Sequence, residues 1–435
     1  MAVLVAILDR VKVAPGRGRS LSRPTLTRWS WGRGLGVAIA AFSLWAAALE
    51  TTLAQTNILQ NSQFPPNPLE LPEDADEENP IDPLIPDLLI DRPLSPQEER
   101  VVTQTVAELQ LAGDAAFNEG NIAEALSLWI REARLRRVLG PYEEVAALTR
   151  IGSIAWTEQQ TTELRFITQR LLEIELETEA AEPVDYELML KVAEAYQTLR
   201  ARRLAVALYN KVLTNARRNN DLVTAEKSLV ALGDLHLSWF DYPNAAIAYQ
   251  ELLTLVRQSG DKVAEVAILQ DLAHIYTEGD EPIEAIAIRQ ELIDIHESRQ
   301  EFEPIPILKL ANGDDYITIG RPDLAAPSYQ EAFAVARSVQ YYGFAADALK
   351  KLANLYLSLD RRNDALVVYQ LLIDVEQQSY NYYGLMDAYD QIGQLHQQRG
   401  AVNQALLAYR QGLDLAQQLS YRIGYFRSKV EQLSP

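Results

Sequence analysis

Four histidines, sixty acidic residues and no cysteine set the terms on which this 435-residue chain could do chemistry. Without cysteine there can be no disulfide, no thiolate nucleophile and no thiolate metal site. His236, His274, His296 and His396 are scattered, and neither His274 nor His296 has a further ligand beside it. DADEE at 74–78 has the charge for calcium but lacks the glycine and the distal glutamate of a calcium loop. GRGLG at 32–36 could cradle a phosphate only between a strand and a helix, and it stands instead before an apolar run. Acidic pairs abound at solvent-facing helical spacing, with none marked as a shielded acid and base. These residues predict no catalytic group, no metal and no cofactor.

The bulk properties narrow the partners. A formal charge of −20 disfavours nucleic acid, which selects clustered Lys and Arg, and favours protein or peptide partners with basic patches. A hydrophobic content of 48% is enough for a large core. The charge is unevenly spread. Arg10, Lys12, Arg17, Arg19, Arg23, Arg28 and Arg33 precede an apolar run from Gly34 to Leu49, which Glu50 closes. That order reads as an export signal over 1–54, with cleavage after Ala48 or Ala54, and places the protein in a periplasm-like or lumenal compartment. The alternative is a membrane anchor formed by residues 34–49, the only part through which the chain would meet a membrane. Residues 55–96 follow as a Pro-rich linker, and positions 61–99 hold eleven acidic residues against Arg92, half of the whole excess.

From residue 97 the apolar spacing becomes helical and repeats at a fixed interval. Steps of 40 link Ala205, Ala245, Ala285, Ala325, Ala365 and Ala405, and Leu164 and Ala125 join them after a one-residue slip. Four residues beyond each stand Trp129, Thr168, Tyr209, Tyr249, Arg289, Tyr329, Tyr369 and Tyr409. Twelve before each stand Gly113, Gly152, Ala193, Gly233, Ala273, Gly313, Ala353 and Gly393, every one small. Antiparallel helices approach closely only where the facing residues are small, so the small residue of a first helix is expected to meet the Ala of a second. Each pair has an incomplete core until a neighbour stacks on it, which predicts a solenoid.

The constellation resembles the tetratricopeptide repeat, with LANGDDYITIGRPDLAAPSYQEAFAVA at 310–336 and IGQLHQQRGAVNQALLAYRQGLDLA at 392–416 as its best units. The longer period is similar to Leu-Gly-Asn-repeat arrays, whose signature LGD at 232–234 and LAN at 352–354 approach. The resemblance implies an all-α, right-handed superhelical array of about eight helix pairs over 97–420, with a capping helix and tail over 421–435. TTELRFITQRLLEIELE, the second unit, is degenerate, and Pro327 within a second helix is expected to bend it slightly. His236 and His396 fall where the repeat places an inward Tyr and are expected in the core. REARLRR at 131–137 and RARR at 200–203 are expected as solvated helix surface.

In such an array the first helices line the inner wall, and the residue after each small one projects into the groove. That row is Asp114, Ser153, Glu194, Asp234, His274, Asp314, Asn354 and Gln394. Lys350 and Asn354 also occupy positions that open the carboxylate clamp of chaperone-binding tetratricopeptide domains, with Gln391 or Gln394 and Arg427 near the later members. The resulting expectation is an exported, non-enzymatic scaffold that binds a protein or peptide in its groove, with assembly of a larger complex as one role open to it. A peptide-sensing regulator is the second reading and an unrecognised hydrolase the third.

Overall fold

The computed structural model describes residues 67–69 and 94–434. The proposed export signal and most of the acidic linker lie outside the described residues. Pro68–Pro435 form one compact unit. Among its described residues there are seventeen α-helices and no strand. The first four are α1 (Pro96–Asn118), α2 (Ile122–Arg137), α3 (Pro141–Thr157) and α4 (Thr161–Ala180). The next pairs are α5 (Tyr186–Thr198) with α6 (Arg202–Asn219), α7 (Leu222–Leu237) with α8 (Tyr242–Ser259), and α9 (Lys262–Glu278) with α10 (Pro282–Arg299). The last are α11 (Ile305–Thr318) with α12 (Pro322–Ser338), α13 (Tyr342–Ser358) with α14 (Arg362–Gln378), and α15 (Tyr382–Gln398) with α16 (Val402–Gln418), followed by α17 (Ile423–Leu433).

The helices end where the backbone is turned into the left-handed region. From residue 200 onward a positive φ recurs every 20 residues, at Arg200, Asn220, Phe240, Gly260, Asp280 and on to Ser420. A left-handed residue at the helix end frees the chain to reverse while late carbonyls are bonded from beyond it, as in Asp241 N–H to His236 O at 3.0 Å. Restarts are fixed by side chains: Ser95 and Glu98 form a reciprocal capping box on α1, and Asp185, Asp221 and Asp261 cap α5, α7 and α9. Pro327 lies inside α12, which continues through it.

Each helix packs on the next, so the described array is a run of antiparallel neighbours. First helices also touch directly across the intervening second helix, as α3 with α5 and α11 with α13. That closer approach puts the first helices on the inner side and the second helices outside. At the beginning of the unit Leu69 is buried, and its carbonyl accepts from Arg137 Nη2 at 2.9 Å.

Candidate functional site

The inner face is built by what closes each helix pair. A Cβ placed on Gly113 would lie 2.4 Å from the Trp129 ring, on Gly233 2.4 Å from Tyr249, on Gly313 2.3 Å from Tyr329, and on Gly393 2.7 Å from Tyr409. Glycine is therefore required by close approach of a ring. This adds a ring to the expected meeting of the small residue with the second-helix Ala. Ala125, Ala245, Ala325 and Ala405 are fully buried, but the aromatic four residues on is what covers the glycine. Side chains lean toward the N-terminus of their helix, so a ring one turn beyond the Ala reaches back to the level of the glycine on the antiparallel partner.

The polar tip of each ring then emerges beside the next inner-face residue. Tyr249 donates its hydroxyl to Asp234 Oδ1 at 2.9 Å and Tyr329 to Asp314 Oδ1 at 2.7 Å. Tyr369 reaches Asn354 Oδ1 at 3.5 Å, and the Trp129 indole N–H reaches Asp114 Oδ1 at 3.2 Å. Burial first, then the neighbouring aspartate, pushes the Tyr249 and Tyr329 hydroxyls well above the ordinary tyrosine value, so both stay protonated donors at neutral pH. These hydroxyls hold the carboxylates in place from behind. That combination of glycine under ring, buried Ala and ring-tip hydroxyl recurs along the chain.

The repeat is of the tetratricopeptide type. No family model matches the chain, and no curated protein matches it. Among solved structures, a tetratricopeptide repeat protein from Parabacteroides merdae is 15% identical, with 66% of this chain and 98% of that chain covered at a TM-score of 0.30. Aspartyl phosphate phosphatase F from Bacillus subtilis is 14% identical over 67% of this chain and 78% of that chain, at 0.35. BtubC from P. vanneervenii is 17% identical over 51% and 92%, at 0.33. At these values the likeness assigns no activity or partner to this chain.

Within the tetratricopeptide-type array the row is not uniform. Asp234, His274, Asp314 and Asn354 are exposed, as is Ser153, whereas Asp114, Glu194 and Gln394 are half-buried. Tyr209 and Tyr409 bypass Glu194 and Gln394 and donate one turn further, to Gln197 at 2.8 Å and Gln397 at 3.1 Å. In the fifth repeat Arg289 replaces the ring and is buried against Thr277, Asn312 and Asp315, the last at 2.6 Å. In the degenerate second repeat Thr168 stands in the ring's place, and Leu199, the C-cap of α5, lies against Gly152.

Several sequence expectations change here. Lys350 is not free to receive a carboxylate: its Nζ pairs with Glu376, 2.7 Å away and buried. Arg427 is exposed on α17. His236 and His396 are half-buried rather than core, because each lies in the last turn of its helix. His236 Nδ1 is 2.9 Å from Asp241 in the following turn, and burial lowers the His396 imidazole below its ordinary value, with Arg399 adding to the effect. REARLRR is not solvated surface either, since Glu132 is buried between Arg136 and Arg150, and Arg137 bonds buried Glu144 at 2.9 Å.

The sequence reading also missed a second inner-face line, two positions before each small residue. Lys351 donates to Asp314 at 2.8 Å and 2.9 Å, and Arg150 stands 3.8 Å from Asp114. Its signal was present in the spacing, because Lys351 stands 37 residues after Asp314.

Proposed function

We propose that this chain is a non-enzymatic scaffold that holds an extended protein segment along the inner face of its array. The observation that supports the reading is the row Asp234, His274, Asp314 and Asn354, one exposed side chain from each of four successive repeats. Three of the four are oriented from behind by a tyrosine hydroxyl. Fixed polar groups at a repeating interval suit the backbone and side chains of an extended chain, and their negative balance favours a partner with basic residues. Assembly of a larger complex is a role that such a surface serves.

The proposal places the scaffold in an exported compartment, on the strength of the basic, apolar and small-residue order over 1–54. Among the described residues no helix is long and apolar enough to cross a membrane. Intact mass of the native protein tests the export reading: a mature start at Leu49 or Gln55 is expected, and retention of residues 1–48 would replace it with a tethered array.

Photocrosslinking in the native host tests the binding face. A benzoylphenylalanine at Asn354 is expected to capture the partner, and the same group at Ile247, exposed on the outer helix α8, is expected not to. Capture from Ile247 alone would move the binding surface to the outer face.

A further inference from the structure

The two inner-face lines meet between successive repeats, and at two of these junctions opposite charges face each other. Asp314 faces Lys351 and Asp114 faces Arg150, whereas Lys191 pairs within its own helix with Glu194 at 2.9 Å. Where the fourth repeat meets the fifth, the same register puts Asp271 opposite Asp234, 37 residues on, as Lys351 is from Asp314. Among the described residues neither carboxylate has a basic partner in an ion pair. His274, three residues beyond Asp271 on α9, and the Tyr249 hydroxyl are the other titratable groups within electrostatic reach.

The geometry of the sister repeats says what belongs in that position. At the sixth and seventh repeats the ammonium of Lys351 sits on both oxygens of Asp314, while the Tyr329 hydroxyl holds that carboxylate from behind. Asp234 is held in the same way by Tyr249 through Oδ1, which leaves Oδ2 for a second donor. Partial loss of hydration raises the Asp271 carboxyl above its ordinary value, and Asp234 adds to the shift while His274 opposes it. A cation between the two carboxylates would relieve that repulsion.

We propose that Asp234 and Asp271 form the site at which a partner segment inserts an arginine or lysine side chain, in the place that Lys351 occupies against Asp314. The inference rests on the inner-face reading above and specifies its partner as a chain carrying a basic residue. A side chain fits the position better than a metal ion. The equivalent positions are filled by an ammonium and a guanidinium, and among the described residues no group of three or more His, Cys, Asp or Glu could hold a metal.

The test uses the full chain and two fluorescein-labelled Gly-Ser peptides, one with a central arginine and one with citrulline, its uncharged isostere. Fluorescence anisotropy is expected to show the arginine peptide binding at least about tenfold more tightly. Asp271→Asn should shrink the difference, and Asp271→Lys, which supplies the cation internally, should abolish it with the circular dichroism spectrum unchanged. Equal binding of the two peptides, binding of neither, or an arginine preference that survives Asp271→Lys overturns the proposal. The native partner separates this inference from the reading beneath it. A partner that crosslinks at Asn354 and binds Asp271→Lys undiminished ends the acid-pair site while the inner face stands. A partner that does not crosslink at Asn354 ends both.

Discussion

The pairs α7–α8 and α11–α12 are closed by a tyrosine ring lying over a glycine, whereas the junction of α2, α3 and α4 buries full charges in the corresponding interior. Glu132 and Glu144 are 0% and 1% exposed. Glu144 accepts from Arg170 Nε at 2.8 Å and Nη2 at 3.1 Å, and from Arg137 at 2.9 Å. Glu175 accepts from the Tyr196 hydroxyl and from Lys211, each at 3.0 Å. The difference is visible in sequence: Thr168 stands where other repeats carry a ring, Leu199 lies against Gly152 instead, and Arg170, two residues on, reaches buried Glu144. A ring-closed pair is therefore vulnerable to added volume, and a charge-closed one to the loss of a partner.

The largest expected effect lies at the charged junction. Arg170→Ala would take two of the three hydrogen bonds from buried Glu144 and leave it Arg137 alone, and breaking a buried pair from one side costs up to about 3–5 kcal/mol. Denaturant unfolding measures it, and a loss below about 1 kcal/mol, as for an exposed pair, would show that the network is dispensable.

Next comes volume at the ring-closed pairs. Gly313→Ala places a Cβ 2.3 Å from Tyr329, and overpacking of this kind costs about 1–3 kcal/mol. Gly343→Ala is the control, since a Cβ there meets nothing within 4 Å. Equal melting of the two variants would contradict the ring-over-glycine account.

The smallest mutational effect is at the ring tip. Tyr249→Phe keeps the packing and removes one hydroxyl donor to an exposed carboxylate, a loss of about 0.5–1.5 kcal/mol. The same hydroxyls shape the alkaline limit. Tyr409, where burial acts first, is pushed from 10.0 up to about 12. A raised tyrosine value means that the folded chain disfavours the phenolate, so the stability contributed is complete below pH 10 and is lost as pH rises through 12. Phenolate absorbance is expected to rise for the exposed tyrosines first and for the interior ones together with unfolding.

Much of this organisation was legible in the sequence because it depends on residue size at a fixed interval. Gly, Ala and Tyr at steps of 40 can be read without coordinates, and they specified the all-α helix pairs and the row Asp234, His274, Asp314 and Asn354. What the interval could not show was depth and direction. A linear register places Gly233 level with Ala245, and only the backward lean of helical side chains reveals that the Tyr249 ring lies against the glycine. Pairings between helices were hidden for a related reason. Lys350 and Lys351 are adjacent in sequence, yet one turns to buried Glu376 and the other to Asp314 on the groove wall.

The most direct test of the inner-face account is the affinity of the crosslinked partner for a variant that changes charge without changing packing. Asp234→Asn combined with Asp314→Asn keeps an oxygen acceptor for each tyrosine hydroxyl and loses only the exposed Asp314–Lys351 pair, which contributes little to folding, so the circular dichroism spectrum should match the parent. The account predicts at least about tenfold weaker binding, in line with about 1–3 kcal/mol at each desolvated charged contact. Undiminished affinity in a folded double variant would contradict it.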